Sequence, residues 1–227
     1  MLIGILQCGH LPDALQPRWG DYPELYDALL APHGLQTKAW AVVDGIFPDT
    51  PSDADGWLIT GSRYGAYEDL PWIAPLEAFI RACVDADRPI VGVCFGHQIL
   101  AQALGGRVEK HEGGWAVGAK TYEFDSGTRV VQAWHQDQVI TPPAGAQTVA
   151  RAEGCEHAAL LYPGKAYSVQ PHPEFDTGFA AALLEERGPG VVPDDRLEAA
   201  RARRDDALDS ADVGAEFARF FRERQIR

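Results

Sequence analysis

Positive charge is scarce in this 227-residue sequence, which has 20 Lys and Arg residues against 33 Asp and Glu residues and a formal net charge of -13 at pH 7. That charge repels a phosphate backbone, so we expect no binding to nucleic acid. No uncharged apolar run approaches the roughly 20 residues of a membrane helix, so we expect no membrane span. The opening MLIGIL lacks the basic region and cleavage site of a signal peptide and predicts a buried strand instead.

Paired metal ligands are missing as well. The four cysteines, Cys8, Cys83, Cys94 and Cys155, lie far apart, and the seven histidines show no HxH or HxxxH spacing. We therefore expect neither a metal site nor disulfides, and free thiols indicate a reducing cytoplasm. P-loop, GxGxxG and SGGxDS patterns are absent too, so we expect no bound cofactor and no second catalytic unit.

What is present is typical of a globular protein, with 46% hydrophobic and 23% charged residues. In the first half of the chain, apolar runs alternate with helical spacing. The predicted strands are Leu2–Gln7, Gln36–Val43, Trp57–Thr60 and Pro89–Val93, and the predicted helices are Tyr22–Ala31, Pro71–Val84 and Gln98–Leu104. This alternation predicts an α/β fold with a parallel sheet covered by helices.

The second half changes character at Arg107. Short β-rich segments separated by Gly or Pro predict strand meanders on or beside the parallel sheet. They are Lys120–Phe124, Arg129–Trp134, Thr148–Ala152, Ala158–Tyr162 and Ala166–Gln170, and helices return at Gly178–Glu186, Asp194–Asp205 and Val213–Arg224. We predict one domain over residues 1–227, with a helical extension from about 185 to 227 packed on it.

A cysteine lies where a buried strand meets a helix. Cys94 follows the strand Pro89–Val93, with Gly92 and Gly96 two residues to either side. Such a corner forces strained backbone, and small neighbours leave room for it. The helix N-terminus favours the thiolate, and the Phe95 N–H is free to donate to a developing oxyanion. A small buried cysteine in a Gly-rich turn is the alternative interpretation.

A histidine with a neighbouring carboxylate follows the last predicted strand. Pro171 and Pro173 favour extended backbone around His172. Because side chains two residues apart in an extended segment share a face, Glu174 could hold one imidazole nitrogen and leave the other for Cys94. The alternative interpretation is an exposed His-Pro-Glu turn.

Together these segments resemble the class I, Cys-His-Glu triad family of glutamine amidotransferases. GVCFGHQ at 92–98 matches the family's G-x-C-x-G-x-Q signature, and 172–174 matches its HPE signature. The resemblance covers about residues 1–184 and implies a three-layer flavodoxin-like fold with a mostly parallel central sheet, flanking helices and an added β-rich meander. It also implies hydrolysis of glutamine to glutamate and ammonia through a γ-glutamyl thioester. The implied catalytic residues are Cys94, His172 and Glu174.

The resemblance implies further site residues. Leu58–Ser62 occupies the place of the family's oxyanion loop, so the Gly61 N–H should join that of Phe95. Gln98 corresponds to the glutamine-binding Gln of the family. These residues would surround the carbonyl group and the bound substrate.

A third segment, WHQDQV at 134–139, resembles the S-H-G-D-x-V segment in the glutaminase part of GMP synthases. By this resemblance, the backbone of Trp134, His135 and Gln136 binds the amino-acid end of the substrate. Trp134 stands where the family usually has Ser, and Gln136 where it usually has Gly. The substrate pocket should therefore differ in shape.

Several other features have two interpretations each. His97 lies beside the corner, where a structural role is favoured over a catalytic one. Arg63–Asp69 and Gly113–Trp115 are either ordinary surface loops or parts of the cleft rim. The charged run Arg196–Asp209 is typical of a solvated helix face, with a docking surface as the alternative.

Three functional hypotheses follow. The first is a glutaminase or amidotransferase subunit that acts on glutamine and resembles the free-standing, GMP-synthase-glutaminase-like branch of the family. It either feeds ammonia to a separate synthase or works alone. The second is a γ-glutamyl peptidase-type hydrolase that cleaves other γ-glutamyl amides, and the third is an interaction module with an inert site. The sequence leaves the oligomeric state and the identity of any partner open.

Overall fold

The computed structural model describes residues 1–226, which form eleven β-strands and seven α-helices besides three short 3-10 helices. The strands are β1 (Leu2–Leu6), β2 (Gln36–Trp40), β3 (Gly56–Ile59), β4 (Ile90–Val93), β5 (Arg107–Lys110), β6 (Ala116–Phe124), β7 (Gly127–His135), β8 (Asp137–Thr141), β9 (Gln147–Ala152), β10 (Cys155–Tyr162) and β11 (Ala166–Val169). The helices are α1 (Gln16–Trp19), α2 (Tyr22–Leu30), α3 (Ile73–Asp85), α4 (Phe95–Ala103), α5 (Thr177–Arg187), α6 (Asp194–Ala202) and α7 (Ser210–Glu223).

Nine strands form one sheet in the order β2-β1-β3-β4-β11-β10-β9-β6-β7. The first five of these pair in parallel, and the remaining four add to them in antiparallel pairs. Strands β3 and β4 read GWLI and IVGV and are buried along their whole length, as parallel strands covered on both faces are. The predicted parallel sheet with an added meander is confirmed.

Helices cover the parallel part of the sheet on both faces. Tyr26 of α2, Phe179 of α5 and Phe217 of α7 share one hydrophobic cluster. Ile80 of α3 and Ile99 of α4 belong to the cluster on the other face. The result is the three-layer flavodoxin-like arrangement that the sequence predicts. Within residues 1–226, no helix is both long and apolar enough to cross a membrane.

Two strands of the structure were not predicted from the sequence. Strands β5 and β8 form a separate antiparallel pair, with Val108 opposite Val139. The sequence of β5, RVEK, holds one apolar residue, so it gives no periodic signal. Helix α4 also begins at Phe95 rather than at Gln98, directly after Cys94.

The C-terminal helices pack against the sheet. Helix α7 buries Val213, Phe220 and Phe221 in the cluster that also holds α2. Helix α6 approaches β6 where Gly118 has a φ of +79°, and a Cβ there would lie 2.6 Å from the Ala200 Cβ. The close approach therefore depends on a glycine. The prediction that residues 1–227 form a single domain stays a prediction, which limited proteolysis can test.

Candidate active site

Cys94 occupies a strained corner between β4 and α4. Its φ of 52° and ψ of -103° place a non-glycine residue in a sparsely populated backbone region. Such strain persists only where the surrounding structure enforces it. The Cys94 N–H donates to the Val169 carbonyl oxygen at 2.9 Å, and the Gln98 N–H donates to the Cys94 carbonyl oxygen at 3.0 Å. The neighbouring strand and the first helical turn thus hold the residue from both sides.

Two glycines make this corner possible. A Cβ on Gly92 would lie 2.5 Å from the Gly96 carbonyl oxygen, and a Cβ on Gly96 would lie 2.2 Å from the Ile59 carbonyl oxygen. Both obstacles are backbone atoms that cannot rotate away. The tight packing of β3 against the start of α4 therefore requires glycine at these positions, as the sequence pattern predicts.

His172 and Glu174 lie beyond the end of β11, which pairs with β4 so that Val169 is opposite Val93. Both side chains are buried, and His172 Nδ1 is 2.6 Å from Glu174 Oε1. The imidazole also stacks on the Phe175 ring, with centroids 4.1 Å apart and planes 3° from parallel. The His172 and Glu174 side chains share one face, as predicted. Glu174 at the edge of the imidazole and Phe175 on its face fix the orientation of the ring.

A tyrosine adds a second hydrogen bond to the same carboxylate oxygen. The hydroxyl of Tyr26, which is fully buried in α2, donates to Glu174 Oε1 at 2.8 Å. No local sequence pattern predicts this contact, because the two residues are 148 positions apart. Since Tyr26 and His172 meet at one oxygen, the carboxylate has little freedom to rotate.

The electrostatic setting favours a charged imidazole. Burial alone would lower the pKa of His172, but attraction to the negative charges of Glu174 and Cys94 outweighs it and raises the pKa to about 10. His172 is therefore an imidazolium at neutral pH. Because Nδ1 is engaged by Glu174, Nε2 is the nitrogen left for Cys94, and it has no other hydrogen-bond partner in the described part of the chain.

The two predicted oxyanion donors lie near one another. The Gly96 N–H donates to the Thr60 carbonyl oxygen at 3.1 Å, which ties the loop after β3 to the start of α4. A Cβ on Gly61 would lie 2.9 Å from His172 Cε1, so Gly61 borders the imidazole. The Phe95 ring points away and packs on Trp72 at a centroid distance of 5.4 Å. What Phe95 can offer the site is therefore its backbone N–H.

The predicted substrate residues meet Cys94 from the side of β7. The Cys94 thiol donates a weak hydrogen bond to the Trp134 carbonyl oxygen at 3.8 Å. Gln98 Nε2 donates to the Asp137 carbonyl oxygen at 2.7 Å and to Gln170 Oε1 at 3.2 Å. One donor position of the Gln98 amide therefore holds the segment after β7 against α4, and the other holds the residue that follows β11.

His135 and Gln136 complete that segment. Burial, with help from the positive charge of His172, lowers the pKa of His135 to about 3, so its ring is neutral. The Gln136 carbonyl oxygen accepts from the His111 N–H at 3.0 Å. Its backbone is thus engaged, and its side chain is left to shape the space in front of Cys94.

A cleft of about 360 Å³ opens in front of Cys94. Of the predicted site residues, it is lined by Cys94, Gln98, Trp134, His135 and Gln136. Gly61, Phe95, His172 and Glu174 do not line the cleft and lie behind the cysteine. The rim interpretation of the loops Arg63–Asp69 and Gly113–Trp115 is confirmed, because Arg63, Tyr64, Gly65, Tyr67 and Glu68 of the first loop and Trp115 of the second line the cleft. Cleft residues that the sequence analysis missed are His10, Tyr22, Lys110, Arg187 and Val191.

The remaining sulfur and imidazole groups have structural surroundings. His97 is fully buried, its Nδ1 lies 2.8 Å from Ser168 Oγ, and burial lowers its pKa to about 3. Cys83 and Cys155 are buried among apolar residues, and burial raises the pKa of each thiol to about 12. Among residues 1–226, no group of three or more His, Cys, Asp or Glu side chains is placed to hold a metal ion.

Several proteins of known name are similar to this chain in sequence. Gamma-glutamyl peptidase 4 of Arabidopsis thaliana is 30% identical over 184 residues, which cover 74% of this chain and 73% of the relative. GMP synthase [glutamine-hydrolyzing] of Thermus thermophilus is 41% identical over 102 residues, or 38% of this chain and 19% of that protein. The first likeness extends over most of both chains, and the second is confined to a segment.

Solved structures share the fold. A glutamine amidotransferase from Thermotoga maritima aligns over 100% of this chain and 97% of its own, with a TM-score of 0.72 and 20% identity. A glutamine amidotransferase from Methylobacillus flagellatus covers 83% of this chain and 75% of its own, with a TM-score of 0.68 and 22% identity. The family model of glutamine amidotransferase class-I matches residues 48–187. The chain belongs to the class I glutamine amidotransferase family.

Proposed function

We propose that this protein hydrolyses the side-chain amide of glutamine, releasing ammonia and leaving glutamate. The observation that carries the proposal is the position of Cys94, strained at a helix N-terminus and open to the cleft, with the buried His172–Glu174 pair behind it. A nucleophile, a proton donor and a group that orients the donor are the parts that cysteine-dependent amide hydrolysis needs.

In the first step, Cys94 Sγ attacks the γ-carbonyl carbon and the C–N bond breaks. The leaving nitrogen takes the proton of His172 Nε2 and departs as ammonia, which leaves a γ-glutamyl thioester on Cys94. In the second step, neutral His172 accepts a proton from water as the hydroxide attacks the thioester carbon. Glutamate leaves, and the thiolate–imidazolium pair is restored.

Glu174 and the backbone supply electrostatic support. Glu174 keeps the proton of Nδ1 in place, so that Nε2 is the nitrogen that exchanges protons with the substrate. The N–H groups of Gly61 and Phe95 stabilise the negative charge on the carbonyl oxygen of the tetrahedral intermediate. Helix α4 contributes the positive end of its dipole to the same region.

The segment after β7 binds the amino-acid end of the substrate in this proposal. Trp134, His135 and Gln136 form one wall of the cleft, and Gln98 holds that wall through the adjoining Asp137. Gln98 thus acts in part as a positioning residue. Acidic and basic side chains at the rim, Glu68 and Arg63 among them, are available to the charged ends of an amino acid.

Ammonia release tests the proposal. We expect the purified chain to release ammonia and glutamate in equal amounts from glutamine, and we expect Cys94→Ala to abolish this. Cys94→Ala removes the nucleophile at a position whose neighbours already accept a Cβ, so thermal unfolding should show a retained fold. Release of ammonia by Cys94→Ala at the rate of the unaltered chain would contradict the proposal.

Cleavage of other γ-glutamyl amides is a second candidate function. Trp134 and Gln136 line the cleft at positions where the resembled family has smaller residues, and this difference supports a changed leaving-group space. The similarity to a protein named gamma-glutamyl peptidase 4 supports it as well. Comparing kcat/KM for glutamine with kcat/KM for γ-glutamyl peptides separates the two candidates.

If glutamine is the substrate, the ammonia released needs an acceptor. The similarity of one segment to a GMP synthase supports a separate synthase as partner, which would receive the ammonia by diffusion or on contact. Stimulation of glutaminase activity by an added lysate fraction, measured in the unaltered chain, tests this part of the proposal.

A further inference from the structure

A second cavity, of about 580 Å³, adjoins the active-site cleft. Trp115 and His135 line both spaces, so the two meet at these side chains. Cys155 lines the second cavity, and the negative charge of Cys94 adds to the effect of burial in raising the pKa of its thiol. The second cavity therefore lies within electrostatic reach of the nucleophile.

Basic side chains predominate in this cavity although the whole chain carries a net charge of -13. Its charged lining residues are the basic Lys120, Arg151, Arg196 and Arg203 and the acidic Glu123 and Glu153. An excess of cations in a concave space attracts anions and raises their local concentration. We call these four basic residues the cationic cluster.

Two members of the cationic cluster have no ion-pair partner within residues 1–226. Arg203 pairs with Asp206 at 2.8 Å, and Arg196 is 3.9 Å from a carboxylate oxygen of Asp195. Lys120 and Arg151 form no ion pair with any residue of the described chain. Lys120 is half-buried, and burial together with the positive charges of Arg196 and Arg203 lowers its pKa, although the negative charge of Glu153 acts in the opposite direction. An anionic ligand would relieve this repulsion.

His135 provides a second, independent sign of a missing ligand. The side chain is only 4% exposed, and neither ring nitrogen has a hydrogen-bond partner within residues 1–226. Buried polar groups without partners are rare in folded proteins, because each costs free energy. A polar ligand passing from the cleft into the second cavity would meet this ring.

We propose that the second cavity binds the anionic end of a γ-glutamyl peptide whose γ-glutamyl group occupies the cleft. The scissile amide then lies at Cys94, the peptide leaving group passes His135 and Trp115, and its C-terminal carboxylate pairs with Lys120 and Arg151. This inference rests on the proposed hydrolysis of γ-glutamyl amides and assigns the substrate class. Peptides with a free C-terminal carboxylate are preferred over glutamine and over amidated peptides.

Paired substrates test the assignment. The probes are γ-glutamylalanylglycine and its C-terminal carboxamide, which differ in one charge. We expect kcat/KM to be about tenfold higher for the acid, as one partly desolvated charge pair allows. The double variant Lys120→Gln/Arg151→Gln should bring the two values close together. The control Arg204→Gln, an exposed arginine that does not line the cavity, should keep the original ratio.

A binding experiment separates failure of this inference from failure of the proposed function. Calorimetry on the Cys94→Ala chain measures binding of alanylglycine, its carboxamide and inorganic phosphate without any turnover. Preference for alanylglycine over its amide, lost in Lys120→Gln/Arg151→Gln, supports the cavity assignment even when no substrate is hydrolysed. Equal binding of acid and amide overturns it. Phosphate binding that needs Lys120, without a preference between acid and amide, also overturns it and indicates a site for a free anion.

Discussion

The parallel half of the sheet and the antiparallel meander contribute differently to this site. Strands β3, β4 and β11 end at one edge and bring together Gly61, Cys94 and His172. The meander contributes the wall of Trp134, His135 and Gln136 and most of the second cavity. The proposed reacting groups thus lie at the tightly packed ends of the parallel strands, and the proposed substrate-contacting surfaces lie mainly in the meander.

Glycines make this difference concrete. Gly92 and Gly96 in the parallel half have backbone atoms within 2.5 Å of where a Cβ would lie. At Gly127, Gly145 and Gly154 in the meander, no atom lies within 4 Å of where a Cβ would be. Glycine is favoured there only by the positive φ of the backbone. The first pair serves close packing, and the second group serves turns.

The largest expected effect comes from Gly96→Ala. The new Cβ would meet the Ile59 carbonyl oxygen at 2.2 Å, so β3 and α4 must separate. We expect a loss of about 3 kcal/mol or more in the free energy of unfolding. For Gly154→Ala, the control in the meander, the free energy of unfolding should fall by only about 1 kcal/mol, because the substitution introduces backbone strain and no steric clash. Urea unfolding of both variants measures the difference. Equal losses of stability would contradict a packing role for Gly96 that Gly154 does not have.

The pH dependence of activity tests the electrostatics of the parallel half. Because the pKa of His172 is about 10 in the folded chain against an ordinary 6.5, the imidazolium persists through neutral pH. We expect kcat/KM to fall about tenfold per pH unit only above pH 10. Because the folded chain binds this proton more tightly than the unfolded chain, protonation of His172 adds to the free energy of unfolding. This contribution is fully present below pH 6.5 and is lost as pH rises through about 10. An alkaline limb near pH 6.5 would show that the imidazolium is not held as described.

A smaller effect is expected from Tyr26→Phe. The change removes one of the two hydrogen bonds to Glu174 Oε1 and leaves the His172 contact in place. We expect kcat to fall about tenfold while KM stays the same, because the imidazole is less firmly oriented. Tyr167→Phe is the matched control, since it removes a buried tyrosine–glutamate hydrogen bond of the same kind, to Glu216, from a residue that does not line the cleft. Equal losses of kcat in both variants would argue against a positioning role.

The smallest effect should come from the meander. Gln136→Gly restores the residue that the resembled family usually has and opens the wall of the cleft. We expect the ratio of kcat/KM for glutamine to that for a γ-glutamyl peptide to change about threefold. Gln147→Gly lies in the same meander but lines neither cavity, so it should keep the original ratio. A ratio that moves equally in both variants would place substrate choice elsewhere.

Local patterns predicted much of the site. The junction at Cys94 could be predicted because a buried strand, a helix start and two glycines are all encoded within nine residues. The extended His172–Glu174 segment could be predicted because prolines restrict the backbone on both sides. These features depend on neighbours in sequence, and the structure places them as expected.

Other parts depend on contacts between distant segments. No local signal connects Tyr26 to Glu174, or brings Arg187 and Val191 to the rim of the cleft. The β5–β8 pair was missed because its strands are short and mixed in polarity, and each is stable only beside the other. The second cavity was also missed, since its basic residues come from β6, β9, α6 and the residue after α6.

The sequence by itself determined which residues carry reactive groups and the local backbone that presents each of them. Only the tertiary structure decided that Cys94 and His172 lie together, because β11 pairs with β4 so that Val93 is opposite Val169, a residue 76 positions further along the chain. It also decided the charge state of His172, whose pKa depends on burial and on the neighbouring Glu174 and Cys94 side chains. Strand pairing and burial are set by the packing of the whole chain, and no short segment contains that information.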